Sequence, residues 1–301
     1  MKAIVVHQYG GPEVLKFEDY ADPVPGPGEV LVRVAATSVN PIDYKRRAGF
    51  TKDFYPLTFP GLIGVDIAGT VAKVAPGEQS FSVGQQVFAM ANNTYAELCV
   101  VKADVLARVP HGLDLIQSAA LPLVTTTGNQ LVAATEIKSA QTILVTGAVG
   151  SVGRSAIFTA KQRGAIVIAA VLTRQLDEAK TLGADRVVAT DGESAIADLP
   201  PLNAVADTVG GKTAGSLLAK VKPTGTFASV VDAPRNAADY PQVKVMTVYA
   251  HPDRSTLESM AEAVRDGKLR IPISRNLPLR AAAEAHALAE KGGIGKILLL
   301  P

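Results

Sequence analysis

Ile143-Leu-Val-Thr-Gly-Ala-Val-Gly-Ser-Val-Gly153 decides the fold. A β-branched apolar run ends at Gly147, and Gly150 and Gly153 follow where a helix begins. A strand, a tight turn and a helix in that order seat a dinucleotide pyrophosphate on the N–H groups of the helix N-terminus. Gly150 lets the backbone approach the phosphates with no Cβ between them, and Gly153 lets the helix pack close to its strand. The first of the three usual glycines is Ala148 here. Val152, Ala156 and Ala160 recur four apart, as the buried face of a helix requires. The segment predicts a pyrophosphate site at Ala148, Gly150, Ser151, Val152 and Gly153. A tight βα turn with packing glycines is the alternative reading of the same residues.

Downstream and upstream of this turn the grammar differs. From about Leu113, helices alternate with short apolar runs, which is how a parallel sheet reads. Candidate strands at 142–146, 167–172, 186–189, 204–207, 226–231 and 244–249 complete an α/β, doubly wound Rossmann sheet. The first part of the chain is β-rich, with strands at 2–7, 15–20, 30–35, 65–74, 86–90 and 95–101 and frequent turns such as Pro76-Gly77. That pattern predicts a partly open β-barrel. A helix at 257–266, a strand at 269–273, a helix through His286 and a strand at 296–300 are surplus to the parallel sheet. The expected division is a barrel domain, 1–119 completed by 253–301, and a nucleotide domain, 120–252.

The second candidate strand ends in Val171-Leu-Thr-Arg-Gln175. An NAD site places an acid there, on the ribose 2′-hydroxyl. This chain has Thr173 and Arg174 instead, and a guanidinium matches a 2′-phosphate as a forked donor. The pocket is expected to favour NADP. Asp177 and Glu178 fall in the first turn of the next helix, where they complement its dipole.

Composition removes other classes. At 301 residues, with 48% hydrophobic and 19% charged, the chain is globular and long enough for two domains. A net charge of +2 gives no reason to expect nucleic acid. No apolar run is long enough for a membrane helix, and the N-terminal one is too short for a signal peptide. The single cysteine, Cys99, fits a reducing, cytoplasmic setting and reads as core. One Cys and four scattered His do not make a zinc site, so no metal is expected.

Three polar stretches are candidates for chemistry. In Asn40-Pro-Ile-Asp-Tyr-Lys-Arg-Arg-Ala-Gly49, Asn40 suits a substrate oxygen or ribose hydroxyl, and Tyr44 and Lys45 suit an oxyanion. Equally, Asn40 and Pro41 suit a helix start, with residues 45–47 as a solvated face. Thr125-Thr-Thr127 suggests a helix start or a ligand-facing turn, because β-branched residues are poor in helix interiors. Asp207-Thr-Val-Gly-Gly211 lies at the carboxyl edge of the sheet, as a ligand contact or as a glycine-shaped turn.

These pieces in this order resemble the zinc-independent quinone oxidoreductases and alkenal reductases of the medium-chain dehydrogenase/reductase superfamily. The resemblance runs through Gly10-Gly-Pro-Glu-Val-Leu15, Asn40-Pro-x-Asp43, Asp66-x-Ala-Gly-Thr-Val71, Ala119-Ala-Leu-Pro122, the glycine turn, Leu182-Gly-Ala-Asp185 and Gly295-Lys-Ile297. It implies a GroES-like barrel and a Rossmann domain that holds NADPH. It places Asn40 and Thr127 near the nicotinamide, Arg174 on the 2′-phosphate, and the backbone of Ser229 and Val230 near the carboxamide. Asp207 joins the cofactor contacts, and Tyr44, Asn40 and Lys45 are the catalytic candidates. In zinc-dependent relatives Cys stands where this chain has Asn40. The usual Leu-Thr-Ala-Tyr reads Thr126-Thr-Gly-Asn129 here. The resemblance implies hydride transfer to a quinone or an α,β-unsaturated carbonyl, and a homodimer. The alternatives are an enoyl-thioester reductase, with residues 45–47 as a basic patch, and a non-catalytic NADPH-binding sensor.

Overall fold

A computed structural model describes residues 1–301, with the side chains of residues 193 and 194 left aside. The chain divides into two compact units, Met1–Leu123 with Pro252–Pro301, and Val124–His251.

The first unit opens with β1 (Lys2–Val6), paired antiparallel to β2 (Leu15–Asp19) and, on its other edge, to the short β4 (Gly61–Leu62). The axis of the larger sheet is β3 (Glu29–Ser38). One edge of β3 pairs with β5 (Asp66–Val74), and the other pairs with β7 (Leu98–Lys102) over residues 29–33. Two register shifts on the β3–β5 ladder bend the pair. β6 (Gln86–Met90) and β8 (Ala107–Arg108) extend the far side of β5. Val30, Val32 and Val34 alternate inward and meet Ile67, Val71 and Val87 in one core. α1 (Pro41–Ala48) leaves the end of β3 and stops at Gly49, whose φ of +83° a side chain would strain. α2 (Leu115–Ser118) and the start of α3 (Pro122–Ala134) lead out of the unit.

The second unit is a parallel sheet. β9 (Thr142–Thr146), α4 (Ser151–Gln162), β10 (Ile166–Val171), α5 (Leu176–Ala179), β11 (Arg186–Ala189), α6 (Glu193–Ala197), β12 (Leu202–Asp207), α7 (Gly211–Leu218), β13 (Val221–Ser229) and β14 (Lys244–Thr247) follow in turn. The strand order is β11-β10-β9-β12-β13-β14, a complete doubly wound sheet. Residues on either side of the pleat go to separate cores. Ile143 and Val145 pack with Ala156, Ile157 and Ala160 of α4, whereas Leu144 packs with Leu217 and Leu218 of α7.

The chain then returns to the first unit through α8 (Arg254–Arg265), whose N-cap Asp253 accepts from Thr256 N–H at 3.1 Å. β15 (Ile273–Pro278), α9 (Ala282–Glu290) and β16 (Lys296–Leu300) close it. β16 lies between β15 and the end of β3. The sequence places this strand at 269–273, but the observed one starts where that range ends. β15 is an edge strand with polar, exposed positions at Ser274, Arg275 and Asn276. The apolar signal comes from Leu269 and Ile271, which are buried ahead of it.

Candidate functional site

In the second unit the turn after β9 is shaped by glycine. Gly147 has φ of +57°, and a Cβ on it would meet Thr208 Oγ1 at 2.4 Å. A Cβ on Gly153 would meet Gly147 O at 2.3 Å. The first intrahelical bond of α4 runs from Arg154 N–H to Gly150 O, at 2.9 Å. The N–H groups of Ser151, Val152 and Gly153 therefore precede the helix ladder and are available to an anion. Arg154 is a contact that sequence reasoning missed. Its Nε donates to Val149 O at 2.8 Å and its Nη2 to Glu178, so the turn is pinned from below. Ala148 is buried under the same turn and donates its N–H to Ala170 O. The turn fits a pyrophosphate: the backbone donors are in place and no Cβ fills the space.

Thr173 and Arg174 lie exposed at the end of β10, as expected. The expectation that no acid stands there needs correcting. Asp191, two residues beyond β11, accepts from Thr173 N–H at 3.0 Å and from Thr173 Oγ1 at 2.8 Å. Those bonds, with Arg174 nearby, hold its carboxyl below the usual range. The acid comes from the neighbouring strand, so a search at the end of the second strand misses it.

Asp207 and Ser229 turn inward and are fully buried. Asp207 Oδ1 accepts from Thr146 Oγ1 at 2.8 Å and Gly210 N–H at 3.1 Å, while Oδ2 accepts from Ser229 Oγ at 2.8 Å. Val230 N–H donates to Asp207 O at 3.0 Å, and Val248 N–H donates to Ser229 O at 2.7 Å. The glycine-shaped turn is the better description of this edge, with φ of +73° at Gly210 and +65° at Gly211. The three threonines lie in the first turns of α3, and Thr127 is buried there. Gly128 has a packing reason: a Cβ would meet Ser155 Cβ of α4 at 2.5 Å.

In the first unit Asn40 is 1% exposed, and both ends of its amide are engaged. Nδ2 donates to Asp66 Oδ2 at 2.8 Å, and Oδ1 accepts from Lys296 Nζ at 2.6 Å. The carboxylate requires the NH2 and the ammonium requires the oxygen, which fixes the orientation of the amide. Asp66 also accepts from Ser38 Oγ at 2.5 Å and Leu123 N–H at 2.7 Å, and Lys296 lies 3.5 Å from it. Burial pushes the Lys296 ammonium down from its usual range, against the pull of Asp66 and Asp43. The helix-start reading holds, since Asn40 is the N-cap of α1 and Pro41 its first residue, but it does not describe these side-chain bonds. The side chain is a bridge in a buried ion pair, although Asp43 Oδ2 does accept the Asn40 N–H at 2.8 Å as half of a helix cap.

A second chain of polar groups runs beneath α1. Arg47 has hydrogens on every nitrogen, so its Nη1 donates to His286 Nδ1 at 3.2 Å. His286 Nε2–H must then donate to Tyr95 Oη at 3.1 Å, and Tyr95 donates to Asp43 Oδ2 at 3.1 Å. Burial, then Arg47, lowers His286 to about 3. Burial raises Asp43 to about 7, and its Oδ1 is buried without a partner. Arg46 and Arg47 are 6% and 3% exposed, which corrects the solvated face expected for residues 45–47 and leaves Lys45 alone in solvent. Tyr44 is half-buried and packs edge-on against His286 at 6.4 Å. Burial raises its phenol.

Among the described residues no three His, Cys, Asp or Glu side chains come together to hold a metal. The donors at Asn40 and Asp66 do not fit zinc, because Ser38, Asn40 and Lys296 already engage Asp66 Oδ2. Among the described residues no helix is long and apolar enough to cross a membrane.

A bent GroES-like sheet, a doubly wound parallel sheet and a glycine-turned anion site define a medium-chain dehydrogenase/reductase. Residues 26–111 match the alcohol dehydrogenase GroES-like domain, and residues 182–299 match the family described as zinc-binding dehydrogenase. The chain is 32% identical to a quinone oxidoreductase of Pseudomonas aeruginosa, across 100% of this chain and 99% of that one. An NADPH-dependent alkenal/one oxidoreductase of Arabidopsis thaliana is 35% identical over 70% of this chain and 58% of its own. The Escherichia coli quinone oxidoreductase solved with NADPH superposes with a TM-score of 0.88, at 26% identity and full coverage of both chains. The chain belongs to the quinone oxidoreductase family of that superfamily.

Proposed function

We propose that this protein is an NADPH-dependent reductase of quinones or of the double bond of α,β-unsaturated carbonyl compounds. The observation that carries the reading is the Gly147–Gly153 turn, with its N–H donors at the start of α4 and no Cβ in their path. Relatives named for quinone and for alkenal reduction supply the two acceptor classes. Bound at this turn, NADPH supplies the hydride.

The chain's own residues do the rest. Ser151, Val152 and Gly153 N–H groups hold the pyrophosphate, and Arg174 meets the 2′-phosphate. Thr127 and the edge at Ser229 and Val230 are proposed to line the nicotinamide end. Tyr44 keeps its proton, since burial raises its phenol, and is the proposed donor to the reduced oxygen, with Lys45 adding positive charge in solvent. Asn40 acts as a positioning residue through Asp66 and Lys296. Cys99 is no nucleophile, because burial pushes its thiol up to about 12.

Two rival readings lose their supports. A thioester reductase would use a basic patch at 45–47, of which two members are buried. A sensor was favoured by the altered segment at Thr126–Asn129, but Gly128 there serves close packing on α4. A homodimer is proposed through β14, which is the edge of the parallel sheet. Cytoplasmic residence is proposed on the single, buried Cys99, which has no disulfide partner within the chain.

The test is NADPH oxidation with a quinone and a 2-alkenal side by side, with NADH and Arg174→Ala in parallel. Turnover with NADPH is expected, with Arg174→Ala raising the KM for NADPH about tenfold, the loss of one charge-assisted contact. NADPH binding without turnover on either acceptor would overturn the reading.

A further inference from the structure

The pyrophosphate turn and the Thr173–Arg174 segment stand on separate elements, and one side chain ties them together. Arg154 is the fourth residue of α4 and is 8% exposed. Its Nε donates to Val149 O at 2.8 Å. The N–H of the same peptide, on Gly150, donates to Gly147 O at 2.9 Å. The Val149–Gly150 peptide is therefore held at both ends, just ahead of the Ser151, Val152 and Gly153 donors. A planar peptide held by its carbonyl and its amide cannot rotate without breaking one of the two bonds.

The other end of the guanidinium reaches α5, where Nη2 donates to Glu178 Oε1. α5 continues directly from the turn Thr173–Gln175 that carries Arg174. α4 and α5 also share a core through Val152, Ala156, Leu176 and Ala179. Arg174 and Glu178 are four residues apart, the spacing at which an arginine and a glutamate pair on a helix. Here Glu178 is turned to Arg154 instead, and the adjacent Asp177 pairs with Lys180 at 2.7 Å. An unheld Glu178 would compete with a phosphate for the Arg174 guanidinium and repel it.

We propose that Arg154 is a positioning residue for cofactor selectivity: it sets the pyrophosphate turn through Val149 and, by holding Glu178, keeps Arg174 open to the 2′-phosphate. This role presupposes the NADPH reading above, in which Arg174 meets that phosphate. A guanidinium suits it, because its nitrogens donate in fixed, separate directions and so serve both partners at once.

Fluorescence titration of the full-length protein with NADPH and NADH tests it, with the preference read as the ratio of the two Kd values. Arg154→Met is expected to weaken both nucleotides about tenfold, for the lost charged contact to the turn. It should also lower the preference for NADPH by a further factor of about three, the worth of one exposed ion pair. Adding Glu178→Gln to Arg154→Met should restore the preference and leave the common loss in place. Glu178→Gln alone should keep the preference within about twofold of the parent's, since Glu178 is already held. An unchanged preference in Arg154→Met overturns the proposal, and so does a lowered one that Glu178→Gln does not restore. If Arg154→Met does not fold, the half-exposed Glu178 still decides: a preference raised about threefold or more by Glu178→Gln alone would mean that Arg154 does not hold it. A parent that does not prefer NADPH, or whose preference survives Arg174→Ala, overturns the NADPH reading itself and this role with it.

Discussion

The two units build their polar centres from opposite materials. The turn at Gly147–Gly153 works by omission: a missing Cβ, a positive φ, and N–H groups that precede the helix ladder. The centre around α1 works by addition: Asp66, Asn40 and Lys296 form one buried chain of bonds, Arg47, His286, Tyr95 and Asp43 form another, and Asn40 N–H joins them at Asp43. A centre of omissions tolerates solvent but not bulk. A centre of buried charges tolerates neither the loss of a partner nor a change in protonation.

The hardest way to break the comparison is Lys296→Met. It leaves Asp66 buried without its cation, and loss of one partner of a buried pair costs about 3–5 kcal/mol. Chemical denaturation should show that loss in the first unit. Gly153→Ala attacks the other centre. Its Cβ meets backbone at 2.3 Å, so the turn must shift, at about 1–3 kcal/mol for overpacking. NADPH affinity should fall with it.

Protonation sharpens the contrast. Asp43 titrates at about 7 in the folded protein, above its unfolded value of 3.8, so the folded state holds the extra proton between them. Its contribution to stability falls as pH rises through that window. His286 titrates at about 3 against 6.5 unfolded, so the unfolded state holds the extra proton there, and stability rises with pH from about 3 to 6.5. The two oppose each other between about pH 4 and 6.5. Relative to the parent, Asp43→Asn should make stability rise with pH in that window, and His286→Phe should make it fall. Each slope has an upper limit of ~1.4 kcal/mol per pH unit, one proton's worth. Denaturation midpoints at several pH values measure both.

The smallest expected effect is at Asp191. It takes the Thr173 donors and places a negative charge beside Arg174. Asp191→Asn should tighten NADPH severalfold and leave NADH nearly unchanged, because only the former carries the 2′-phosphate. Fluorescence titration of both nucleotides checks it. Weaker NADH binding would place Asp191 against the ribose hydroxyls, as an acceptor from them, rather than beside the phosphate.

Legibility in the sequence followed the same division. The parallel sheet was readable because each strand and the turn between them are local patterns; residues 142–146 and 186–189 are strands as the spacing expects. The partners of Asn40 were not. Asp66 lies 26 residues away and Lys296 lies 256 away, and no periodicity links them. Arg47 looked solvated for the same reason, since its partners His286 and Glu290 are 239 and 243 residues downstream. Asp191 was hidden by a shorter jump, from the next parallel strand. The Gly295-Lys-Ile297 motif was the available hint, because a lysine amid apolar residues must be exposed or paired.

β16 brings Lys296 to the end of β3. On the ribosome, the second unit has its whole sheet before residue 252 and can mature early, since domains fold as units during synthesis. The first unit must wait. From the moment Asp66 is made until Lys296 emerges, a carboxylate meant for a dry interior has no cation to meet. The opening barrel therefore remains unfinished work for the cell until Lys296 and its strand have been made.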